Sequence, residues 1–339
     1  MSGDFTANEQ YYRRTVSSIG ISMLTLWLLM RVFGILLPVM QAGIYVAVSS
    51  DLWADIIYQL IYAAAYLLIF TAPVIVLRRS FGRRGFVYTP MKAELRLSLH
   101  LPAIVLGGIL LIFAQSCLNE ALVSIFNYSA FAQQVLWGEG EMRGYEVVLS
   151  FIVMALVPAF CEELLFRGAI LTNLLPFGRS SAILISALLF SLMHQNPGQI
   201  LYAFAAGILL GVVYERTGSI WNCVFLHLLN NFSSLTMGVL SEKLHSDPSL
   251  GGALAEILIC FLCAGGVVLL VNALSPKKEQ FKSGVFGKSF PAADSYVPCR
   301  ISPNRSVALF FTVPMILFFA LSITQIINLI GKSVVFSYA

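Results

Sequence analysis

Glu162 and Glu163 stand side by side in a run whose composition is otherwise that of a lipid-spanning segment, and Arg167 follows four residues after the second. A charge at membrane depth costs about 2.5–3.5 kcal/mol per residue on insertion scales, so this cluster implies partners or a task. Downstream, two more apolar runs carry His194 and His227, and the second also carries Asn231. These groups suffice for peptide hydrolysis. A carboxylate and an imidazole can polarise a water and take its proton. A second imidazole and an amide can stabilise the oxyanion of a tetrahedral intermediate.

Spacing says how helices would present them. Glu163 and Arg167 are i and i+4 with the acid N-terminal, the better order for an ion pair. Glu162 points about 100° away and shares a face with Phe166. The simplest division has Arg167 neutralising Glu163 and leaves Glu162 available. Phe190 and His194 are again i and i+4, so an aromatic ring is expected beside the imidazole. His227 and Asn231 share a face, although Asn230 competes with Asn231. Each feature also has a structural explanation: Glu163–Arg167 as a plain ion pair, and each histidine as an interhelical hydrogen-bonding residue worth about 0.6 kcal/mol. Their conjunction favours the chemical reading.

The elements that must position these groups follow from composition. Of 339 residues, 58% are hydrophobic and only 11% charged, and mean hydropathy is +0.83; soluble domains carry about 25% charged residues. The expected fold is an all-α polytopic transmembrane bundle of about eight to nine spans. Candidate spans are 17–44, 55–77, 98–124, 146–172, 181–196, 199–214, 219–238, 252–274 and 306–331. The first has an alternative form, an interfacial helix up to Met30 followed by a span from Val32 to Val48. The fifth and sixth are short and allow a partly re-entrant hairpin.

Loop charges alternate along the chain. Arg13, Arg14, Arg78, Arg79, Arg83, Arg84, Lys92, Arg96, Arg179, Arg216 and the Lys277–Arg305 stretch fall on one side. Asp51, Glu139, Glu141, Glu242 and Asp247 dominate the other. The positive-inside rule then puts the N-terminus in the cytoplasm. At about 1.5 Å per residue, Glu162 lies roughly 15 Å from the cytoplasmic end of its span, His194 roughly 20 Å, His227 roughly 12 Å and Asn231 roughly 18 Å. Such similar depths are what a shared intramembrane site requires.

The chain divides into N-terminal helices (1–145), a core bearing the motifs (146–240), a further span (241–275), a cytoplasmic linker (276–305) and a C-terminal span (306–339). Six scattered cysteines make no disulfide framework. Cys260 and Cys263 have redox spacing but lie in an apolar run. Cys161 beside Glu162 is expected to be an inert buried thiol. Arg31 is mid-span without an evident partner. Glu120, Glu256, His100 and His245 lie near interfaces. The N-terminal apolar run is far longer than a signal-peptide core.

In these motifs the chain resembles the CPBP family, the CAAX prenyl endopeptidases and bacteriocin-processing proteins also called Abi. Glu162-Glu163-x-x-x-Arg167 is similar to its first motif, Phe190-x-x-x-His194 to its second and His227-x-x-x-Asn231 to its third. The resemblance covers about 146–240. It implies a helical membrane fold with a cavity open to the cytoplasm, and glutamate-dependent intramembrane proteolysis of a membrane-associated peptide or protein. Glu162 and His194 would activate water, His227 and Asn231 would form the oxyanion hole, and Glu163 with Arg167 would support them. No cofactor and no nucleic acid is expected; the partners are the substrate and the lipid bilayer, in a multi-pass protein of the bacterial cell membrane.

Three alternatives stand beside it. One is a zinc enzyme, since Glu and two His can ligate zinc, although no His-Glu-x-x-His is present. Another is a scaffold or bacteriocin-immunity protein that binds a peptide without cutting it. The last is a transporter, for which the sequence shows no broken-helix pair.

Overall fold

The computed structural model describes residues 6–81, 144–245, 301 and 303–337, and every regular element among them is helical. Helix α1 (Ala7–Ala47) begins at a capping box: the Thr6 hydroxyl accepts from the Glu9 backbone N–H, and the Glu9 carboxylate accepts from the Thr6 N–H. These bonds satisfy two donors that an open helix end leaves unpaired. The helix runs 41 residues without the break near Met30 that one reading of the sequence allowed. At about 1.5 Å per residue it is roughly 60 Å long, so both ends extend beyond a hydrocarbon layer of about 30 Å. Helix α2 (Asp51–Phe81) returns antiparallel along it, and the Ser22 hydroxyl donates to the Pro73 carbonyl between the two at 2.9 Å.

Residues 144–177 form one helical run interrupted by two π segments and closed by a 3₁₀ turn. It comprises α3 (Gly144–Ser150), a π segment (Phe151–Leu156), α4 (Val157–Glu163), a second π segment (Leu164–Leu171), α5 (Thr172–Leu174) and a 3₁₀ turn (Leu175–Phe177). Pro158 supplies no N–H and crowds the carbonyl one turn back, which accounts for loosened winding just before α4. A short hairpin follows, α6 (Arg179–Met193) and α7 (Pro197–Thr217), then α8 (Ile220–His245). On α7, Gly207 and Gly211 are four residues apart and face α6. A Cβ at Gly207 would fall 2.9 Å from the Ala187 Cα, and one at Gly211 would fall 3.0 Å from Ile183. This is the small-residue spacing that lets membrane helices touch backbone to backbone.

The last expected span, 306–331, is two helices, α9 (Pro303–Phe310) and α10 (Val313–Ser337). Pro314 in the first turn of α10 cannot donate to a preceding turn, so the chain restarts there. Helix α10 docks on α1, burying Met315, Phe318 and Ser322. The expected spans 98–124 and 252–274, and most of the 276–305 linker, lie outside the described residues. So do Glu120, Glu256, His100, Cys117, Cys260, Cys263 and Cys299.

By length and apolarity, three described helical stretches can cross a membrane: Ala7–Ala47, Asp51–Phe81 and Val148–Phe177. Large apolar side chains stand exposed on α1, α2 and α10, among them Ile35, Val39, Val46, Leu60 and Val313. A lipid-facing surface has this character, and soluble proteins rarely expose so much. Helix ends group as the loop charges do. Tyr11 and Tyr12 pack at an angle against Phe177, Glu9 pairs with Arg305 at 2.6 Å, and Arg179 pairs with Glu215 at 3.0 Å. At the other end Tyr45 and Tyr145 both donate to Asp55.

Gly20 marks the closest approach of α1 and α10: a Cβ there would sit 2.7 Å from the Met315 N and 2.9 Å from Pro314 backbone carbon. Backbone cannot yield as a side chain does. Gly20→Ala is therefore expected to destabilise the fold by about 1–3 kcal/mol, read as a lowered Tm of the detergent-solubilised protein, whereas Gly34→Ala, with nothing within 4 Å, leaves it unchanged.

Candidate active site

Glu162, Glu163 and Arg167 are all buried, the last two with no exposed surface. Helix α4 delivers the two acids, and the second π segment carries the arginine. Glu163 Oε1 accepts from Arg167 Nη1 at 2.8 Å. Arg167 Nη2 donates to the Gly207 carbonyl at 3.2 Å, which is reachable because Gly207 lets α7 come close. The guanidinium carbon also lies 4.7 Å from the Phe190 ring centre, a cation–π distance. One cation is thus held by its own helix, by α7 and by α6.

His227 on α8 enters the same network, which the sequence did not foretell. Its Nδ1 lies 2.8 Å from Glu163 Oε1, and its Nε2 lies 3.9 Å from Glu162 Oε2. Since a carboxylate only accepts, Nδ1 carries the proton, and Nε2 is the nitrogen turned towards Glu162. His194 ends α6 in a similar state. Its Nδ1 is 2.9 Å from the Phe190 carbonyl oxygen, so that nitrogen donates and Nε2 holds the lone pair. Phe190 packs edge-on to both rings, 5.0 Å from His194 and 5.9 Å from His227 between centres. His194 lies near enough to feel the charges of Glu162, His227 and Arg167.

A cavity of about 60 Å³ opens between α6, α7 and α8, lined by both histidines, Asn230 and Asn231 on its polar side and by Ala203 and Leu210 among others on its apolar side. A water needs only about 10–15 Å³ of such space. The two asparagines differ in what remains free. Asn230 Oδ1 accepts from the Tyr202 hydroxyl, and its Nδ2 donates to Asn231 Oδ1 at 3.3 Å. That contact occupies the acceptor of Asn231 and leaves its amide hydrogens for the cavity.

The structure also brings in residues to which the motifs gave no role. The Tyr66 hydroxyl on α2 donates to Glu162 Oε1 at 2.5 Å. The signal was present in the i, i+4 series Tyr58, Tyr62, Tyr66, Phe70, a stripe along one helix face. Arg31 has found a partner: Nη2 donates to Gln195 Oε1, and its guanidinium lies 5.7 Å from the Trp27 ring centre. Gln195 has φ +52°, a left-handed backbone unusual without glycine. That residue reverses the chain directly after His194 and fixes the imidazole at the tip of the α6–α7 hairpin. Cys161 and Cys223 are free and buried. Among the described residues, no group of three or more His, Cys, Asp or Glu is arranged to hold a metal ion.

Arg167→Met removes the partner of a fully buried carboxylate. Breaking such a pair costs about 3–5 kcal/mol, so the variant is expected to lose folded protein in a thermal scan in detergent. Arg167→Lys should recover only part, because a point charge cannot bond Glu163, reach Gly207 and face Phe190 at once.

Known proteins match in this same stretch. Residues 144–233 match the family described as type II CAAX prenyl endopeptidase Rce1-like. A Bacillus subtilis (strain 168) protein named "Putative membrane peptidase YdiL" is 33% identical over 88 residues, 25% of this chain and 35% of the relative. The chain thus matches about a third of that relative's length. No solved structure matches. The segment that carries the two glutamates, both histidines and Asn231 is thus the part of the chain that is similar to type II CAAX prenyl endopeptidases and to this membrane peptidase.

Proposed function

We propose that this protein is an intramembrane endopeptidase of glutamic type, hydrolysing a peptide bond in a membrane-associated peptide or protein. In this reading it spans a bacterial cell membrane about eight or nine times with its N-terminus in the cytoplasm, and the bilayer delivers its substrate. The observation that carries the proposal is that His194, His227 and Asn231 line one small cavity while Glu162 Oε2 lies 3.9 Å from His227 Nε2.

Each role follows from what the neighbours leave free. His194 has its Nδ1 proton committed to Phe190, so Nε2 is a base facing the cavity, and with Glu162 it takes the proton of an attacking water. Oε2 of Glu162 has no hydrogen-bond partner among the described residues. His227 can donate from Nε2 only as an imidazolium, because Nδ1–H is already given to Glu163. That donor and the Asn231 amide receive the oxyanion as the carbonyl becomes tetrahedral. The proton taken from the water then passes from Glu162 and His194 to the leaving amine, and His227 keeps its own. Glu163 and Arg167 orient His227 and do not touch substrate. No resident cofactor enters this scheme.

Glu162→Gln is expected to lower cleavage by at least about a hundredfold with unchanged membrane expression. The readout is mass spectrometry of peptides released from membranes carrying wild-type or variant protein. His194→Ala should do likewise, while a chelator should leave the rate unchanged. Wild-type cleavage by Glu162→Gln would exclude the mechanism. Full biological activity after loss of both Glu162 and His194 would favour a peptide-binding scaffold instead.

A further inference from the structure

We infer that Tyr66 is a positioning residue for the reaction, holding Glu162 out of direct contact with His227; the inference rests on the proteolytic reading above. Three observations bear on it. The Tyr66 hydroxyl donates to Glu162 Oε1. The other oxygen, Oε2, is buried without a hydrogen-bond partner and lies 3.9 Å from His227 Nε2. And the Tyr66 ring is clamped in a stack, 4.7 Å from Phe70 at 21° and 6.2 Å from Tyr62 at 25°.

A separation of 3.9 Å is too long for a hydrogen bond, which needs about 2.7–3.2 Å, so the two groups face each other without direct contact. A desolvated carboxylate beside an imidazole is drawn into direct contact unless something opposes it, because an unpaired buried charge is costly. Nothing on α4 opposes it: Glu163 and Arg167 are committed to each other. The restraint comes from α2. A charge-assisted bond to a tyrosine whose ring packs against Phe70 and Tyr62 restrains one oxygen and with it the distance of the other. Without it, Glu162 would swing onto His227 and tie up Nε2–H as its own ion pair, withdrawing at once the base from the water and the donor from the oxyanion. The motif residues alone contain no such spacer, so a helix outside the motif segment completes the site.

The test is Tyr66→Phe, which keeps the stacked ring and deletes one oxygen, compared with Tyr62→Phe and Glu162→Gln in purified protein against a fluorogenic peptide in proteoliposomes. Loss of a hydrogen bond to a charged group corresponds to about a ten- to hundredfold effect. Tyr66→Phe should therefore lower kcat by about that factor with KM unchanged, while Tyr62→Phe retains wild-type kcat. Added to Glu162→Gln, it should lower the rate no further. Unchanged kcat in Tyr66→Phe beside an inactive Glu162→Gln overturns the inference and spares the proteolytic reading. A rise in KM alone overturns it too, since that marks lost substrate contact. Retained activity in Glu162→Gln overturns both.

Discussion

A guanidinium without any exposed surface ties the helical core together. Arg167 reaches Glu163 on its own helical run, the Gly207 carbonyl on α7 and the face of Phe190 on α6. Through the shared Glu163 oxygen it also reaches His227 on α8. Burial of an ion is offset only by such contacts; with Arg167 Nε and Glu163 Oε2 left without a hydrogen-bond partner among the described residues, the bonds that are made hold each of these helices to a narrow range of positions. The small-residue face of α7 belongs to the same constraint: a side chain at Gly207 would push α7 off Ala187 and carry the carbonyl away from Arg167. Core packing and the geometry of the candidate site are therefore one problem here, solved by the same few residues.

From that anchor the polar groups fall into an order. Glu163 takes the inner proton of His227, and the Phe190 carbonyl takes the inner proton of His194. Both imidazoles are thereby oriented by acceptors behind them, the arrangement that makes a histidine useful as base or acid. Asn230 and Tyr202 do the corresponding task for Asn231. The π segments on either side of α4 also fit this picture. Such segments are concentrated at functional sites, and here they let both acids point into a crowded interior while the run as a whole still spans Val148–Phe177.

Much of this was legible along the chain, for a physical reason: contacts within one helix are written in its spacing. The Glu163–Arg167 pair and the Phe190 ring beside His194 are i, i+4 relations, and the short α6 and α7 were visible as apolar runs too brief for full spans. Contacts between distant segments leave no such mark. Nothing in the motifs indicates that α2 donates to Glu162, that Arg31 finds Gln195, or that His227 bonds the second acid of the motif. Tyr66 was visible only as one rung of an aromatic stripe, which reads equally well as packing. Helix ends misled where local chemistry prevailed over hydropathy: the Thr6–Glu9 box starts α1 ten residues before the apolar run, and Pro314 divides the final one.

The asymmetry between long and short helices bears on how hydrolysis and a bilayer coexist. Helix α1 spans 41 residues, while α6 spans 15 and ends at the left-handed turn of Gln195. A short hairpin beside long neighbours leaves space over its tip, and His194 sits at that tip with the cavity beside it. Water is expensive to hold in hydrocarbon, and so is an unwound peptide, whose free N–H and C=O groups each cost several kcal/mol unless paired. A cavity lined both by imidazoles and amides and by Ala203, Leu210 and Leu226 meets both demands. Its polar groups offer hydrogen bonds to water and to backbone lifted from a helix, and its apolar groups receive the side chains that backbone carries. In the proteolytic reading, the short hairpin and the strained residue at its turn are therefore as necessary as the acid itself.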